Sequence, residues 1–247
     1  MKSKTPASCK VKAALDQFRR GCWVPRTKKG EGKVGASRFG GRPAIRRAES
    51  WPTCGICRRK MPLFVQIDLA ASPHLDSTPE ALRSGLLQLL FCTSENCESQ
   101  DFGAFTDNAL ARVISAEEIA ALKIAVGGPE FPAKQIAAWV SKPDVPGYEE
   151  ATELGIKVPE DELDNFYAMQ PAGGKGVPLK CDKLYGWPFW VQGRFYPPCR
   201  KCKKQMTYIF QLGSEDNIPF MLGDAGIGHV CICPKHPERA SFYWSCC

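Results

Sequence analysis

The sequence predicts an α+β, β-rich fold, an internal duplication of two similar zinc-knuckle-containing halves packed as one unit, and three observations carry that prediction. First, the block SRFGGRPAIRRAESWPTCGICRRKMPLFVQ, opening at Ser37, aligns without a gap with DKLYGWPFWVQGRFYPPCRKCKKQMTYIFQ, opening at Asp182. Gly41 meets Gly186, Pro43 meets Pro188, Cys54 and Cys57 meet Cys199 and Cys202, Met61 meets Met206 and Gln66 meets Gln211. Second, each block leads from its CxxC pair into β-prone runs, the last of which ends in cysteine. Third, the segment between the blocks carries helix signals instead.

Taken in order, VKAALDQFRR reads as an amphipathic helix. The first repeat, residues 37–100, contributes strands over LFVQIDL and GLLQLLFC. Residues 101–175 read as a mainly helical, acidic insertion or linker. In SAEEIAALKIAVGG, Ser115 and Glu118 form a capping-box signature, and Gly127 and Gly128 suit a stop. FPAKQIAAWVSK reads as a second helix, broken before Pro143, and EDELDNFYAM as a third. QPAGGKGVP is a Gly/Pro-rich linker. The second repeat, residues 182–247, contributes strands over TYIFQL and GIGHVCIC, with GDAGIGH as the turn between them.

Thirteen cysteines need a chemical reason in a chain long enough to bury a core without staples. The number is odd, which argues against a complete disulfide framework. The N-terminal stretch has no apolar run of signal-peptide type, and no apolar run is long enough to span a bilayer. The expectation is a cytosolic protein with reduced thiols and no membrane association.

Metal chemistry accounts for the spacing. Cys54-x2-Cys57 is followed by Cys92-x4-Cys97, and Cys199-x2-Cys202 by Cys233-x2-His236. Two short-spaced pairs grip a tetrahedral ion from two sides and leave no open position, the pattern of structural zinc. Two structural Zn2+ sites are therefore expected. A redox CxxC would start a helix, whereas both pairs here lead into strand-like runs. Cys9, Cys22, Cys181 and Cys231 read as buried thiols, with Cys231 on the opposite strand face from Cys233. Cys246 and Cys247 have no partner pattern. Arg58, Arg59, Lys203 and Lys204 offset the negative zinc–thiolate charge and orient hydrogen bonds to it.

Charge is unevenly spread. Residues 1–60 carry 17 Lys and Arg against 3 Asp and Glu, residues 61–180 carry 8 against 18, and the whole chain is at +7. The basic N-terminal third makes nucleic-acid binding an alternative reading. The aromatics Trp187, Phe189, Trp190, Phe195 and Tyr196 could stack bases, but large aromatics on short strands are more often core. No catalytic constellation is visible: GDAGIGH lacks a nucleophile and the lysine of a phosphate loop, and His74 and His229 have no nucleophile beside them. Asp216 and Asp224 fit turn chemistry.

SRFGGRP, WPTCGIC, the Met61–Gln66–Asp68 run, LLQLLFC, YGWPFW, FQLGSEDN, GDAGIGH and CPKHPE, in that order along nearly the whole chain, resemble the YwqG-like family of bacterial proteins of uncharacterised function. The first block is also similar to the start of programmed cell death protein 2 and its yeast relative in ribosome maturation. The resemblance implies a duplicated β-rich unit with halves related by an approximate twofold axis. It further implies a non-enzymatic interaction role: the eukaryotic relatives are chaperones for a small-subunit ribosomal protein, and bacterial relatives are suggested to be immunity or interaction proteins. The extra finger of the eukaryotic relatives is missing, since residues 98–180 contain no cysteine. A very basic client would find its complement in the acidic middle, with Glu117, Glu118, Glu149, Glu150, Glu160, Asp161, Glu162 and Asp164. The expected partner is a protein.

Overall fold

The computed structural model describes residues 8–97, 103–163, 166 and 178–246, and the account below concerns those residues. Ten strands close into a single barrel. The N-terminal helix α1 (Ser8–Asp16) leads into β1 (Arg20–Lys29) and the short β2 (Arg38–Phe39). The first hairpin is β4 (Leu63–Asp68) with β5 (Leu86–Phe91), after a two-residue β3 (Ala44–Ile45). Then come β6 (Ala109–Ile114), α2 (Ala116–Ile119), β7 (Lys123–Ile124), β8 (Lys134–Asp144) and α3 (Tyr148–Glu153). The final strands are β9 (Lys183–Tyr185), β10 (Thr207–Gly213), β11 (Ile227–Cys233) and β12 (His236–Ser245). Around the barrel the order is β1-β8-β2-β4-β5-β6-β12-β11-β10-β9, closing back on β1, while β3 and β7 pair apart.

Both faces of the central strands are covered, so β4, β5, β10 and β11 read as apolar runs rather than as clean alternation. One face fills the barrel: Phe64, Ile67, Leu87, Leu89, Phe210, Leu212, Val230, Ile232 and Phe242 share one apolar cluster. The other face is roofed by loops, and there the cysteine groups sit. Leu63, Leu90 and Met61 pack with Cys54 and Cys92, and Met206 and Tyr208 pack with Cys199, Cys231 and Cys233. The N-terminal helix buries Val11 and Leu15 against Val145, Ala151 and Phe166.

The middle segment departs from its sequence reading. FPAKQIAAWVSK is not a helix: residues 134–144 form β8, which pairs with β1 from Arg20↔Asp144 to Lys29↔Lys134 and sends Ile136 into the barrel. The helical preference of its two alanines is a few tenths of a kcal/mol per residue and yields to that long ladder. The capped helix at Ser115 lasts only Ala116–Ile119, because the chain then leaves to pair Ile124 with Ala44. The cap is present, with the Ser115 N–H donating to Glu118 Oε2 at 3.4 Å. Residues 101–175, expected to be mainly helical, thus supply two barrel strands, β6 and β8. EDELDNFYAM opens on a 3-10 turn at Glu160–Glu162, and its described residues Leu163 and Phe166 are helical. Its Asp164, the Glu162 side chain, QPAGGKGVP up to residue 177, Cys247 and the side chain of Cys9 lie outside the described residues. No helix among the described residues is long and apolar enough to cross a membrane.

Candidate metal centres

Each CxxC lies in a tight turn rather than at a helix start. Thr53 bridges Lys60 across the first turn, and Pro198 bridges Gln205 across the second. The Cys54 N–H donates to Arg59 O (2.8 Å) and the Arg58 N–H to Cys54 O (3.0 Å); in the second turn Cys199 N–H donates to Lys204 O (2.8 Å) and Lys203 N–H to Cys199 O (2.8 Å). Arg58 and Lys203 both take φ of 61°, the left-handed turn that folds the second cysteine back beside the first.

The strand ends bring the remaining donors. In the first group Cys54 Sγ lies 3.7 Å from Cys97 Sγ and Cys57 Sγ 3.5 Å from Cys92 Sγ. In the second, Cys202 Sγ lies 3.7 Å from Cys233 Sγ, and His236 Nδ1 lies 3.7 Å from Cys199 Sγ and 3.6 Å from Cys233 Sγ. All donor atoms within each group are within 4.8 Å of one another. Two thiolates bound at about 2.3 Å to one tetrahedral zinc stand roughly 3.8 Å apart, and a thiolate and an imidazole roughly 3.6 Å. The two groups have the dimensions of tetrahedral metal sites, and both could hold a metal ion.

Backbone N–H groups point at the sulfurs. Those of Arg59 and Ser94 bond Cys57 and Cys92, those of Lys201 and Cys202 bond Cys199, and those of Lys235 and His236 bond Cys233. The Arg59 N–H leads in bringing the Cys57 thiol down to about 7. At Cys199 burial works the other way but is outweighed by the Cys202 and Lys201 N–H groups, which bring it to about 6. Burial pushes Cys92 and Cys233 up. Each group therefore offers one thiol that ionises more readily than a free cysteine, Cys57 or Cys199, and a bound cation would release the proton of the raised one, Cys92 or Cys233.

The family described as a domain of unknown function, DUF1963, matches residues 37–246. The chain belongs to that family. The DUF1963 span opens at the first repeat block and takes in both donor groups, while α1 and β1 precede it. No curated protein matches the sequence.

Within the DUF1963 span, the side chains of Arg58, Arg59, Lys203 and Lys204 are exposed. It is the Arg59 backbone, not its guanidinium, that bonds a cysteine; the guanidinium reaches Ser94 Oγ at 2.9 Å. Cys231 also corrects its sequence reading. Residues two apart share a strand face, so it lies in the same cluster as Cys233, wholly buried, and stays outside the four donors. His74 Nδ1 contacts Tyr185 Oη at 3.1 Å. His229 belongs to β11 rather than to a turn. Of the aromatics, Trp187 and Trp190 are core, while Phe195 is 43% exposed.

Part of the uneven charge is held in bonds within the fold. Arg38 is fully buried on the carbonyls of Val34, Ala36 and Arg42; Arg42 pairs with Glu31, and Arg46 with Glu118. Glu150, counted by sequence in an acidic surface, is buried and accepts from Trp190 Nε1 (3.0 Å), Tyr196 Oη (2.7 Å) and Arg194 Nε (3.2 Å).

Sequence reasoning missed the polar plugs on the outer wall. Gln66 donates to the carbonyls of Val34 and Ala36 and accepts from Ala44 N–H. Gln211 donates to Leu179 and Cys181 and accepts from Phe189 N–H. Every partner recurs at the same offset as the CxxC pairs. Arg38 and Lys183 are likewise matched: the first donates to Arg42 O, the second to Trp187 O. The gapless alignment sets these residues opposite one another, and a conspicuous cation beside a glycine turn in both blocks was the available signal.

Proposed function

We propose that the chain is a non-enzymatic, zinc-clamped protein-interaction module of two duplicated halves, acting in the cytosol. The observation that carries it is the closure of both donor groups. Four protein donors at tetrahedral spacing fill the coordination of a zinc ion and leave no position for a substrate, so the metal would act by joining the CxxC turn to the end of the next hairpin. Cys54, Cys57, Cys92 and Cys97 would hold one Zn2+, and Cys199, Cys202, Cys233 and His236 the other. Thiolate-rich sets of this kind suit zinc over hard cations. The matched turns, the matched glutamine bonds and the shared offset support the duplication, and the resemblance to YwqG-like proteins and to programmed cell death protein 2 supports a chaperone-like or immunity-like role.

The knuckles offer a surface for a partner: Ile56 lies 42% exposed between the first two cysteines, and Val126 74% exposed beyond β7. Affinity purification of the zinc-loaded chain from its native cell, compared with an Ile56→Asp, Val126→Asp variant, tests the reading. A protein retained by the parent and lost by the variant supports it; retention of nucleic acid alone, released steeply by salt, would replace it with the nucleic-acid alternative.

A further inference from the structure

β6 and β12 are joined in register at a single position, Arg239↔Arg112, whereas β5 and β6 pair at six. That position puts two guanidinium side chains opposite each other on the outer wall, an arrangement that costs stability unless something offsets the repulsion. Above it lies a cleft of about 310 Å³, roofed by the loop around Phe105 and also lined by Arg200 and Ser241.

The donors here are not used up. Arg112 spends Nη1 on Glu49 (2.5 Å) and Nε on Gln88 (2.9 Å), but its buried Nη2 has no partner. Ser241 is 1% exposed and its Oγ is unpartnered. Among the described residues Arg239 has only its neighbour Glu238, at 4.0 Å. Arg200 is held in place by stacking on Phe105 and by donating to Phe105 O at 2.9 Å. The acids lining the cleft, Asp107 and Glu238, are both exposed.

We propose that this cleft binds a small oxyanion, a phosphate or carboxylate group, between Arg112, Arg200 and Arg239, with Ser241 supplying a hydroxyl donor. Three guanidinium groups, one with an orphaned N–H, beside a serine hydroxyl free to donate outnumber the two exposed carboxylates of the lining, and such a donor-rich cleft suits an oxygen-rich anion better than a cation or a neutral apolar ligand. The site goes beyond the interaction reading above and does not depend on it. It also sits beside both donor groups: the loop that roofs it gives Asp107 O to Gly55 N–H (2.7 Å) and Asn108 O to Cys92 N–H (2.8 Å) on one side, and Phe105 O to Arg200 on the other.

Calorimetric titration of the zinc-loaded full chain with inorganic phosphate, and separately with succinate, at constant ionic strength tests the proposal and distinguishes the two sources. Saturable binding of one or both is expected, weakened about tenfold or more by Arg239→Gln and by Ser241→Ala, each of which removes one donor. Arg239→Gln should also raise the melting temperature in a buffer free of phosphate and carboxylates, since it breaks the like-charged pair. Absence of saturable binding by either anion, or binding unchanged in both variants, overturns the proposal.

Discussion

Lys183 Nζ lies 2.7 Å from Asp144 Oδ2, and both side chains are wholly inaccessible to solvent. The pair ties β9 to the end of β8. Further bonds hold the pair: Asp144 also accepts from the N–H of Leu179 (3.0 Å) and of Trp187 (2.8 Å), and Lys183 donates to Trp187 O (2.6 Å). Removing one partner strands a buried charge. Lys183→Met is expected to destabilise the fold by about 3–5 kcal/mol, while the double change with Asp144→Asn should cost less than the two singles added. Urea unfolding of the four proteins at pH 7 makes the comparison.

The two metal clamps should fail independently. Native mass spectrometry of the purified chain is expected to show two zinc ions, and one after either Cys54→Ser or Cys199→Ser. A loss of about 3 kcal/mol per site corresponds to a fall in melting temperature of roughly 10 °C for a chain of this size. A strong chelator should lower the parent's melting temperature below that of either variant measured without chelator. A chain that purifies without zinc and melts unchanged with chelator would remove the clamp reading.

Gln66 holds three backbone groups besides the side chain of Gln88, whose Nε2 donates to its Oε1 at 2.8 Å. Gln66→Leu keeps the volume but orphans Ala44 N–H and takes one of two donors from the carbonyls of Val34 and Ala36, which Arg38 Nη1 still reaches at 3.2 and 3.3 Å. One unmet buried group costs about 1–3 kcal/mol, and that is the loss expected. Gln211→Leu should cost more, because Lys183, which stands where Arg38 does, is bonded to Asp144 and Trp187 and gives the carbonyls of Leu179 and Cys181 no second donor. Chemical denaturation reads both.

His229 supplies the pH dependence. Its Nε2 lies 3.1 Å from Phe189 O, its ring is stacked on Tyr243 and packed by Trp190, and its Nδ1 is buried without a partner. Burial brings its pKa down to about 3, from an unfolded value near 6.5. The folded state therefore refuses a proton that the unfolded chain accepts. The stability it contributes is complete above about pH 6.5 and is lost progressively as pH falls toward 3. On β5, Gln88 makes a comparable bond, donating to Ala44 O at 2.7 Å. His229→Gln is thus expected to retain the fold and to flatten that part of the stability–pH curve. Equal acid slopes in parent and variant would show that other groups, the metal donors among them, carry the dependence.

The donor groups were legible because metal ligation is local grammar. A CxxC turn and a cysteine at a strand end declare themselves by spacing, and the alignment of the two blocks identified Gln66 with Gln211 as well. The middle of the chain was not legible. FPAKQIAAWVSK carries alanines and lysines at spacings a helix could use, and only the presence of β1 as a ten-position partner makes it a strand. β1 itself, RGCWVPRTKK, hides behind its charges and Pro25.

By itself, then, the sequence determined the eight metal-capable donors, the two hairpins that carry them and the alignment of the two CxxC blocks, because each depends on short-range spacing. The tertiary structure decided that those hairpins close into one barrel and that residues between the halves supply two of its strands. It also decided that Arg38, Lys183, Asp144 and Glu150 are interior bonds rather than surface charge. Those outcomes rest on which distant backbone edge each segment meets and on which charged groups burial forces to find partners, and neither is written in any local window of residues.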